Sequence, residues 1–221
     1  MRALLFCTSY FESPEQFDAR YRKWLEYHLA VPLEAEKLFL IDDGSPKAPP
    51  DPGIAWLDSL PDALPEPRVI GYHFAERLGR PSQLNYPGWW RSFFASVRIA
   101  ERYGFEKIIH VESDTFLLSR KLTDWMNGLS TGWTVLWCPR YQFPETCVQV
   151  ICADQFPAMR AIAAKDYATH YALQPVEILL PFTNVEKNFG GNRYNEFRTN
   201  IPGYADFAAQ CLPRTPVEFR A

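Results

Sequence analysis

The stretch KIIHVESDTFLL, from Lys107 to Leu118, predicts the centre of an α/β sheet. Its β-branched apolar residues around His110 are typical of a strand that is buried on both faces, as in a parallel sheet. Glu112 and Asp114 follow at the carboxyl end, which is where open α/β sheets bind ligands. Side chains two positions apart on an extended chain point to one side. The two acids can therefore face one divalent cation, directly or through water, and that cation can hold a phosphate oxygen. The alternative is a solvated strand end with two unrelated acids.

The length and composition indicate an ordinary folded protein. The 221 residues suffice for one sizeable α/β domain, and 47% of them are hydrophobic, which excludes global disorder. The net charge of −3 provides no general attraction to nucleic acid, so we expect no nucleic-acid partner. The five cysteines are odd in number and form no C-x-x-C pair, which favours reduced thiols.

Targeting signals are also missing from the sequence. The apolar run at the N-terminus is too short for a signal peptide, and acids follow it at once. No run of about 18 apolar residues occurs, so we expect no transmembrane helix. We therefore expect a cytoplasmic protein, with peripheral association at a membrane as an open alternative, and the oligomeric state is left open.

Apolar runs and helix signals extend the prediction outward from the central strand. The other predicted strands are Ala3 to Cys7, Lys37 to Ile41, Arg68 to Phe74, Thr134 to Cys138 and Cys147 to Cys152. The predicted helices are Ser13 to Pro32, Gly88 to Tyr103, Leu122 to Leu129 and Asp154 to Ala164. The proline-rich segment from Pro46 to Pro67 is expected to be a surface connection with at most one helical turn near Ile54 to Leu60. Ala75 to Pro87 is expected to be a mobile loop over a site.

Polar residues lie at the carboxyl ends of four predicted strands: Thr8-Ser9, Asp42-Asp43, His73, and Glu112 with Asp114. The carboxyl ends of parallel strands share one edge, so we expect these groups to converge. Two motifs carry a family resemblance. FLIDDGSP, from Phe39 to Pro46, is similar to a strand-two "VDDGS" motif, and HVESDTFLL, from His110 to Leu118, is similar to a metal-binding D-x-D motif.

With these motifs the sequence resembles nucleotide-sugar-dependent glycosyltransferases of the GT-A fold, of the family 2 type. The resemblance implies a single Rossmann-like α/β domain over residues 1–221. A mostly parallel central sheet would carry helices on both faces, with a short antiparallel C-terminal part. Residues 1–118 would bind the nucleotide sugar and residues 119–221 the acceptor. Two features depart from the family: Glu112 replaces the first Asp of D-x-D, and the usual Asn-x-Gly-x-x-x-Ala-Arg-Asn run is absent, with Asn85 to Arg91 in its place.

The resemblance also implies roles for individual residues. Mn²⁺ or Mg²⁺ on Glu112 and Asp114 would neutralise the diphosphate leaving group, with Asp114 as the direct ligand and Glu112 nearer the ribose or a metal-bound water. The nucleotide would lie against Thr8, Ser9, Tyr10, Asp42, Asp43, Arg91 and Ser113. Asp42 or Asp43 would bind base or ribose, although a plain turn before Gly44 is the alternative. Arg91 would reach a phosphate oxygen unless it is a surface arginine.

An inverting transferase also needs a general base that takes the proton of the acceptor hydroxyl. Glu177 is the first candidate, because the flanking Val176 and Ile178 predict apolar surroundings that would raise its pKa. Asp154 and Glu186 are rivals, and Asp154 is also the expected cap of a helix. A retaining enzyme would need no such base.

The sequence predicts metal-dependent transfer of a hexosyl or deoxyhexosyl group to a saccharide, or a lipid-linked saccharide, as in polysaccharide biosynthesis. One alternative is a non-catalytic domain that still binds a nucleotide sugar, since Glu112 departs from the motif. The other is a sugar nucleotidyltransferase. It would need a basic Gly-rich loop after the first strand, where this chain has the acidic TSYFESPEQ.

Overall fold

A computed structural model describes residues 1–46, 51–172, 174–194, 200–211 and 217–221. In chain order its strands are β1 (Ala3–Ser9), β2 (Lys37–Asp42), β3 (Ile54–Leu57), β4 (Val69–His73), β5 (Lys107–Val111), β6 (Phe116–Leu117), β7 (Trp133–Cys138), β8 (Phe143–Cys152), β9 (Asn184–Glu186), β10 (Gly191–Arg193) and β11 (Phe207–Ala209). Eight of them form a sheet in the order β3-β4-β2-β1-β5-β8-β7-β9, and three form a smaller sheet in the order β10-β11-β6.

The large sheet is mostly parallel, which confirms the predicted fold class. β3, β4, β2, β1 and β5 pair in parallel, and β8 runs antiparallel between β5 and β7. The carboxyl ends of β1, β2, β4 and β5 therefore lie side by side at one edge. β8 starts from this same edge, because the Glu112 amide donates to the Cys147 carbonyl at 2.9 Å.

Helices cover both faces of the sheet. Their bounds are α1 (Pro14–Phe17), α2 (Lys23–Ala30), α3 (Pro87–Tyr103), α4 (Arg120–Gly128), α5 (Phe156–Ala163), α6 (Tyr167–His170) and α7 (Val176–Leu179). A π-helical segment, Asp18–Arg22, joins α1 to α2. Within the described ranges, no helix is long and apolar enough to cross a bilayer.

Alternate residues of β1 explain the two cores. Leu5 and Cys7 pack with α2, whereas Leu4 and Phe6 pack with α3 on the other face. Successive strand side chains point to opposite faces, so a strand covered on both sides is apolar throughout. The continuous apolar run that predicted this strand therefore reflects its burial between two helical layers.

The proline-rich connection differs from the prediction. Ile54–Leu57 forms β3, parallel to β4, instead of a helical turn. The Trp56 ring lies against Gly71 of β4, where an added Cβ would collide with it. The surrounding prolines made this short strand hard to recognise in the sequence. Its packing against β4 depends on Gly71, which lies in the next strand.

Asp154 does not cap a helix, contrary to the prediction. It lies in a 3₁₀ turn, Ala153–Gln155, and its carboxylate accepts from the Gly132 amide at 2.9 Å. The α5 helix begins only at Phe156 and has no side-chain cap. Asp154 follows the carboxyl end of the antiparallel β8, so it lies at the edge opposite Glu112 and Asp114.

Candidate active site

A cavity of about 780 Å³ opens at the carboxyl edge of the parallel strands. Both halves of the chain contribute to its lining, and most of the predicted site residues belong to it. These predicted residues are Thr8, Ser9, Tyr10, Asp43, Glu112, Ser113, Asp114 and Glu177. The other four, Asp42, Arg91, Asp154 and Glu186, do not line it.

Glu112 is held at the cavity wall by three side chains. The Trp89 indole N–H donates to Glu112 Oε1, His110 Nε2 lies 3.4 Å from the same oxygen, and Thr8 Oγ1 lies 3.4 Å from Oε2. Burial pushes the pKa of Glu112 up, but His110, Trp89 and Arg20 together outweigh it and leave the pKa below its ordinary value. Glu112 is therefore an oriented carboxylate that favours its charged form.

Asp114 has a different neighbour. Its Oδ2 accepts from Arg20 Nη2 at 2.8 Å, and Arg20 Nε donates to the hydroxyl of Ser113 at 2.7 Å. Burial raises the pKa of Asp114 to about 6, although Arg20 opposes the shift. The two acids of the predicted D-x-D motif therefore line one cavity with their pKa values displaced in opposite directions.

Asp42 is sealed inside the protein instead of facing a nucleotide. Its carboxylate accepts from the hydroxyls of Ser9 and Ser45 at 3.2 and 2.6 Å and from the Ser45 amide at 2.8 Å. His73 Nδ1 lies 2.8 Å from Asp42 Oδ2. The carboxylate is completely buried and does not line the cavity, whereas the resemblance implies that Asp42 or Asp43 binds base or ribose. Asp42 ties β1, β2 and β4 together at their carboxyl ends.

Asp43 lines the cavity, but both of its oxygens already bind protein groups. The backbone amides of Leu78 and Gly79 donate to it at 3.3 and 2.7 Å, and Arg91 Nη2 donates to Oδ1. Gly88, at the start of α3, permits this arrangement, because an added Cβ would collide with Asp43 Oδ2. Asp43 thus fixes the loop between β4 and α3 against the sheet.

Arg91 binds Asp43, whereas the resemblance implies a contact with a phosphate oxygen. Its guanidinium donates to Asp43 and to the Glu76 carbonyl oxygen, and it stacks on Phe74 at 4.0 Å from the ring centre. The guanidinium is therefore directed at the loop and away from the cavity.

Glu177 lies on α7 and lines the cavity, but its surroundings are not apolar as we expected. Arg193 Nη2 donates to its Oε1 at 3.0 Å, and Thr146 Oγ1 lies at 3.5 Å. The same guanidinium binds the completely buried Glu145 at 2.8 and 3.2 Å. Val176 is buried, but Ile178 points to solvent with 70% of its surface exposed. Arg193 of the small sheet therefore positions two acids, Glu145 on β8 and Glu177 on α7.

The two rivals of Glu177 lie elsewhere. Asp154 is at the opposite edge of the sheet, as described above, and Glu186 is on the edge strand β9, where it accepts from the Asn188 amide at 2.7 Å. Neither carboxylate reaches the cavity.

Sequence reasoning missed the arginines of this cavity: Arg20, Arg77, Arg80 and Arg193. Arg77 and Arg80 lie in the loop from Ala75 to Pro87, which was predicted to cover a site, so basic residues within that loop were an available signal. Arg20 and Arg193 had no comparable signal, because their position depends on helix geometry and on the second sheet. The buried hydroxyl of Ser92 also lines the cavity, without a partner among the described residues.

The side chains present do not make a metal site by themselves. Mg²⁺ is usually held by one or two carboxylates, with water and substrate phosphate as its other ligands, but here the carboxylates of Asp114 and Glu112 already accept from Arg20 and Trp89. In the part of the chain that the structure describes, no three His, Cys, Asp or Glu residues are grouped to hold a metal. The donor set therefore fits a divalent cation poorly.

Comparisons with known proteins bear on the fold. No family model and no curated protein matches this chain. Among solved structures it is similar to a glycosyltransferase involved in the glycosylation of the major capsid of PBCV-1, with a TM-score of 0.53, 12% identity, and coverage of 96% of this chain and 94% of that chain. At this identity the likeness concerns the fold alone. The chain therefore has a mixed α/β fold of the kind found in a Rossmann-like glycosyltransferase domain.

Proposed function

We propose that this protein transfers a glycosyl group, of the hexosyl or deoxyhexosyl class, from a nucleotide sugar to a saccharide acceptor. The observation that carries the proposal is the cavity at the carboxyl edge of the parallel strands. It brings Glu112, Asp114 and Glu177 together with several arginines. Open α/β sheets bind ligands at this edge, and guanidinium groups suit the oxygens of a diphosphate. The fold shared with a glycosyltransferase supports the same assignment.

The chemistry needs a base opposite the leaving group. The acceptor oxygen would attack the anomeric carbon while its proton passes to Glu177, and the bond from that carbon to the diphosphate oxygen would break with its electron pair on the diphosphate. Arg193 orients the Glu177 carboxylate, as its 3.0 Å contact supports. One in-line displacement, with the acceptor oxygen attacking from the side opposite the diphosphate, inverts the anomeric centre, so we propose an inverting reaction.

Several partners remain predictions. The sequence predicts Mn²⁺ or Mg²⁺ on Glu112 and Asp114, although the donor set around them favours binding without a metal. A lipid-linked saccharide acceptor, association with a membrane surface, a cytoplasmic location and the absence of a nucleic-acid partner rest on the sequence alone.

The proposal is tested by incubating the purified protein with UDP-, GDP- and dTDP-sugars and following release of nucleoside diphosphate, with and without saccharide acceptors. Glu177→Gln removes the proton-accepting carboxylate but keeps the size and shape of the side chain. The variant should lower turnover by about 100-fold or more without abolishing nucleotide binding. Glu186→Gln is the matched control, because that carboxylate lies outside the cavity. Equal turnover in both variants would exclude Glu177 as the base. No release from any donor, with no nucleotide binding, would overturn the proposal.

A non-catalytic nucleotide-sugar-binding domain is the second candidate. It is favoured by the fact that Trp89 and Arg193 already bind Glu112 and Glu177. A binding domain should bind a nucleotide sugar but release no nucleoside diphosphate with any acceptor. A transferase should bind the nucleotide sugar and release the diphosphate.

A further inference from the structure

Arg20 contacts two successive residues of the predicted metal motif. Its Nε donates to the Ser113 hydroxyl at 2.7 Å, and its Nη2 donates to Asp114 Oδ2 at 2.8 Å. A planar guanidinium that donates hydrogen bonds to two acceptors is fixed in orientation as well as in position. Arg20 therefore places a permanent positive charge on the acid that the sequence predicts as the metal ligand.

The helix carrying Arg20 is shaped to make this contact. Arg20 lies inside the π-helical segment Asp18–Arg22, while α1 and α2 on either side are regular. A π-turn adds a residue to the turn and redirects the side chains that follow, and such turns occur frequently at functional sites. Arg20 and Tyr21 of this segment both line the cavity, and the Tyr21 side chain is also packed into the core.

A divalent cation and Arg20 would compete for the same place. Both neutralise Asp114, and a metal on Asp114 would lie within a few ångströms of the guanidinium, where two positive charges repel strongly. Glu112, the other expected ligand, already accepts from Trp89 and lies beside His110. The side chains therefore favour the guanidinium of Arg20 over a bound metal ion as the positive charge beside Asp114.

Arg20 also retains donors for a ligand. A guanidinium has five N–H groups, of which Ser113 and Asp114 take two. Its Nη1 has no hydrogen-bond partner within the described ranges, and the side chain lines the cavity. Phosphate oxygens are the acceptors that such free N–H groups bind best.

Two further arginines face the same space. Arg77 donates to the Tyr10 hydroxyl at 2.7 Å and stacks 3.6 Å from the centre of that ring. Arg80 donates to the backbone carbonyls of Ser82 and Gln83 and lies over the Tyr86 ring, and it forms no ion pair among the residues the structure describes. Asp43 fixes their loop through the amide of Gly79. The cavity therefore offers positive charge from two sides, on the helix and on the loop.

We propose that Arg20 takes the place of the divalent cation, and that with Arg77 and Arg80 it binds the diphosphate of the nucleotide. Nucleoside diphosphates then bind without a metal ion. The inference rests on the proposed function and identifies how the donor is held there. As the sugar leaves, the charge that accumulates on the diphosphate is stabilised by guanidinium groups already in position.

The test is isothermal titration calorimetry with UDP, GDP and dTDP, each in EDTA and in Mn²⁺. The wild-type protein should bind at least one of them with similar affinity in both conditions. Arg20→Ala should weaken binding in EDTA by about tenfold to a hundredfold, the range expected for a lost charge-assisted hydrogen bond. In this variant Mn²⁺ should restore part of the affinity, because Asp114 is then free to bind it. Arg20→Lys keeps the charge but not the fork, and should lie between the two.

Arg22→Ala is the matched control. It removes the same charge from the same π segment, but Arg22 pairs with Asp18 and Asp51 and does not line the cavity. Its affinity in EDTA should equal that of the wild type, and circular dichroism verifies that all variants fold.

The outcomes separate the two proposals. Wild-type binding that appears only with Mn²⁺ overturns the role of Arg20 and leaves the proposed function standing. This result needs no variant, so a misfolded Arg20→Ala cannot obscure it. Binding in EDTA that Arg20→Ala and Arg20→Lys both retain in full also overturns the inference. No nucleotide binding in either condition overturns the proposed function and the inference together.

Discussion

The two acid pairs, Asp42-Asp43 after β2 and Glu112 with Asp114 after β5, look alike in the sequence but differ in the structure. Each follows a buried parallel strand at its carboxyl end. In the first pair, hydroxyls, amides and a histidine of neighbouring strands and loops bind the carboxylates. In the second pair, both acids line the cavity, and Asp114 keeps 21% of its side-chain surface exposed.

The difference shows that position at a strand end does not make an acid functional. What decides is which groups bind its oxygens and whether a cavity adjoins it. Both oxygens of Asp42 accept hydrogen bonds from protein groups and stabilise the fold, because a buried carboxylate needs protein donors. Asp114 is bound by a single arginine that faces the same cavity, so its remaining oxygen can meet a ligand. The first pair builds the wall that the second pair uses.

The largest effect is expected from Asp42→Ala. It removes the acceptor of several buried donors and leaves His73 without its partner, which should lower the free energy of unfolding by about 3 to 5 kcal/mol. Asp114→Asn changes an acid that lines the cavity and whose arginine partner keeps 36% of its side-chain surface exposed, and should change stability by less than about 1 kcal/mol. Urea unfolding of both variants gives the two values. If Asp114→Asn were the more destabilising change, the assignment of the two pairs would be reversed.

The next effect concerns His28, whose acid response must be separated from that of both pairs. His28 is buried on α2 with its Nδ1 at 2.9 Å from the Trp24 carbonyl oxygen, and burial lowers its pKa from 6.5 to about 4. The unfolded state therefore binds this proton first. The contribution of His28 is complete above about pH 6.5 and is lost as the pH falls toward 4, by at most about 3 kcal/mol.

His28→Phe should remove that part of the pH dependence, since phenylalanine does not titrate and the neighbouring rings of Trp24 and Phe116 accept an aromatic side chain. Urea unfolding at pH 7 and pH 4.5 measures it as a difference between variant and wild type. His170→Gln is the matched control, because His170 is exposed on α6 and its replacement removes no buried side chain. An unchanged slope in His28→Phe would refute this source of acid sensitivity.

A smaller effect is expected from Gly88→Ala, which tests whether packing fixes Asp43. The added Cβ collides with Asp43 Oδ2, so the carboxylate and the loop that it holds must move, at a cost of about 1 to 3 kcal/mol. Nucleotide affinity should fall as well, because Arg77 and Arg80 move with the loop.

Gly128→Ala provides the comparison, since a Cβ there meets nothing within 4 Å at the end of α4. Its stability should stay within about 0.5 kcal/mol of the wild type. Equal stability of the two variants, measured by urea unfolding, would mean that Asp43 is not held as the structure has it.

The fold was largely predictable because β1, β2, β4 and β5 are buried on both faces and so appear as continuous apolar runs. The α3 helix was equally clear, since Trp90, Phe93 and Val97 recur at helical spacing and are all buried. β3 was missed because its four residues lie among prolines and have a clear partner only through Gly71. Local patterns therefore predicted the elements whose burial appears in their own sequence as an apolar run or as apolar residues at helical spacing.

The site was predictable only in part, for a physical reason. Strand ends follow from the pattern of the strands, and Thr8, Ser9 and Asp114 line the cavity at that edge. Which partner each acid binds depends on residues distant in the chain, such as Arg20 for Asp114 and Arg193 for Glu177. Such pairings are set by tertiary packing and leave no local signal. The apolar flanks of Glu177 therefore predicted its surroundings wrongly.

The smallest effect is expected from a pair of arginine variants that divides the two acid pairs by function. Arg91→Lys keeps a positive charge beside Asp43 but loses one of two hydrogen bonds, and should lower stability by about 1 kcal/mol with little change in nucleotide affinity. Arg77→Ala should lower nucleotide affinity with little change in stability, because Arg77 is about half exposed and faces the cavity. Urea unfolding and calorimetry on the same preparations measure both quantities. A tenfold loss of nucleotide affinity in Arg91→Lys at unchanged stability would restore Arg91 as the phosphate contact that the sequence predicts, and the Asp42-Asp43 pair would then belong to the binding site after all.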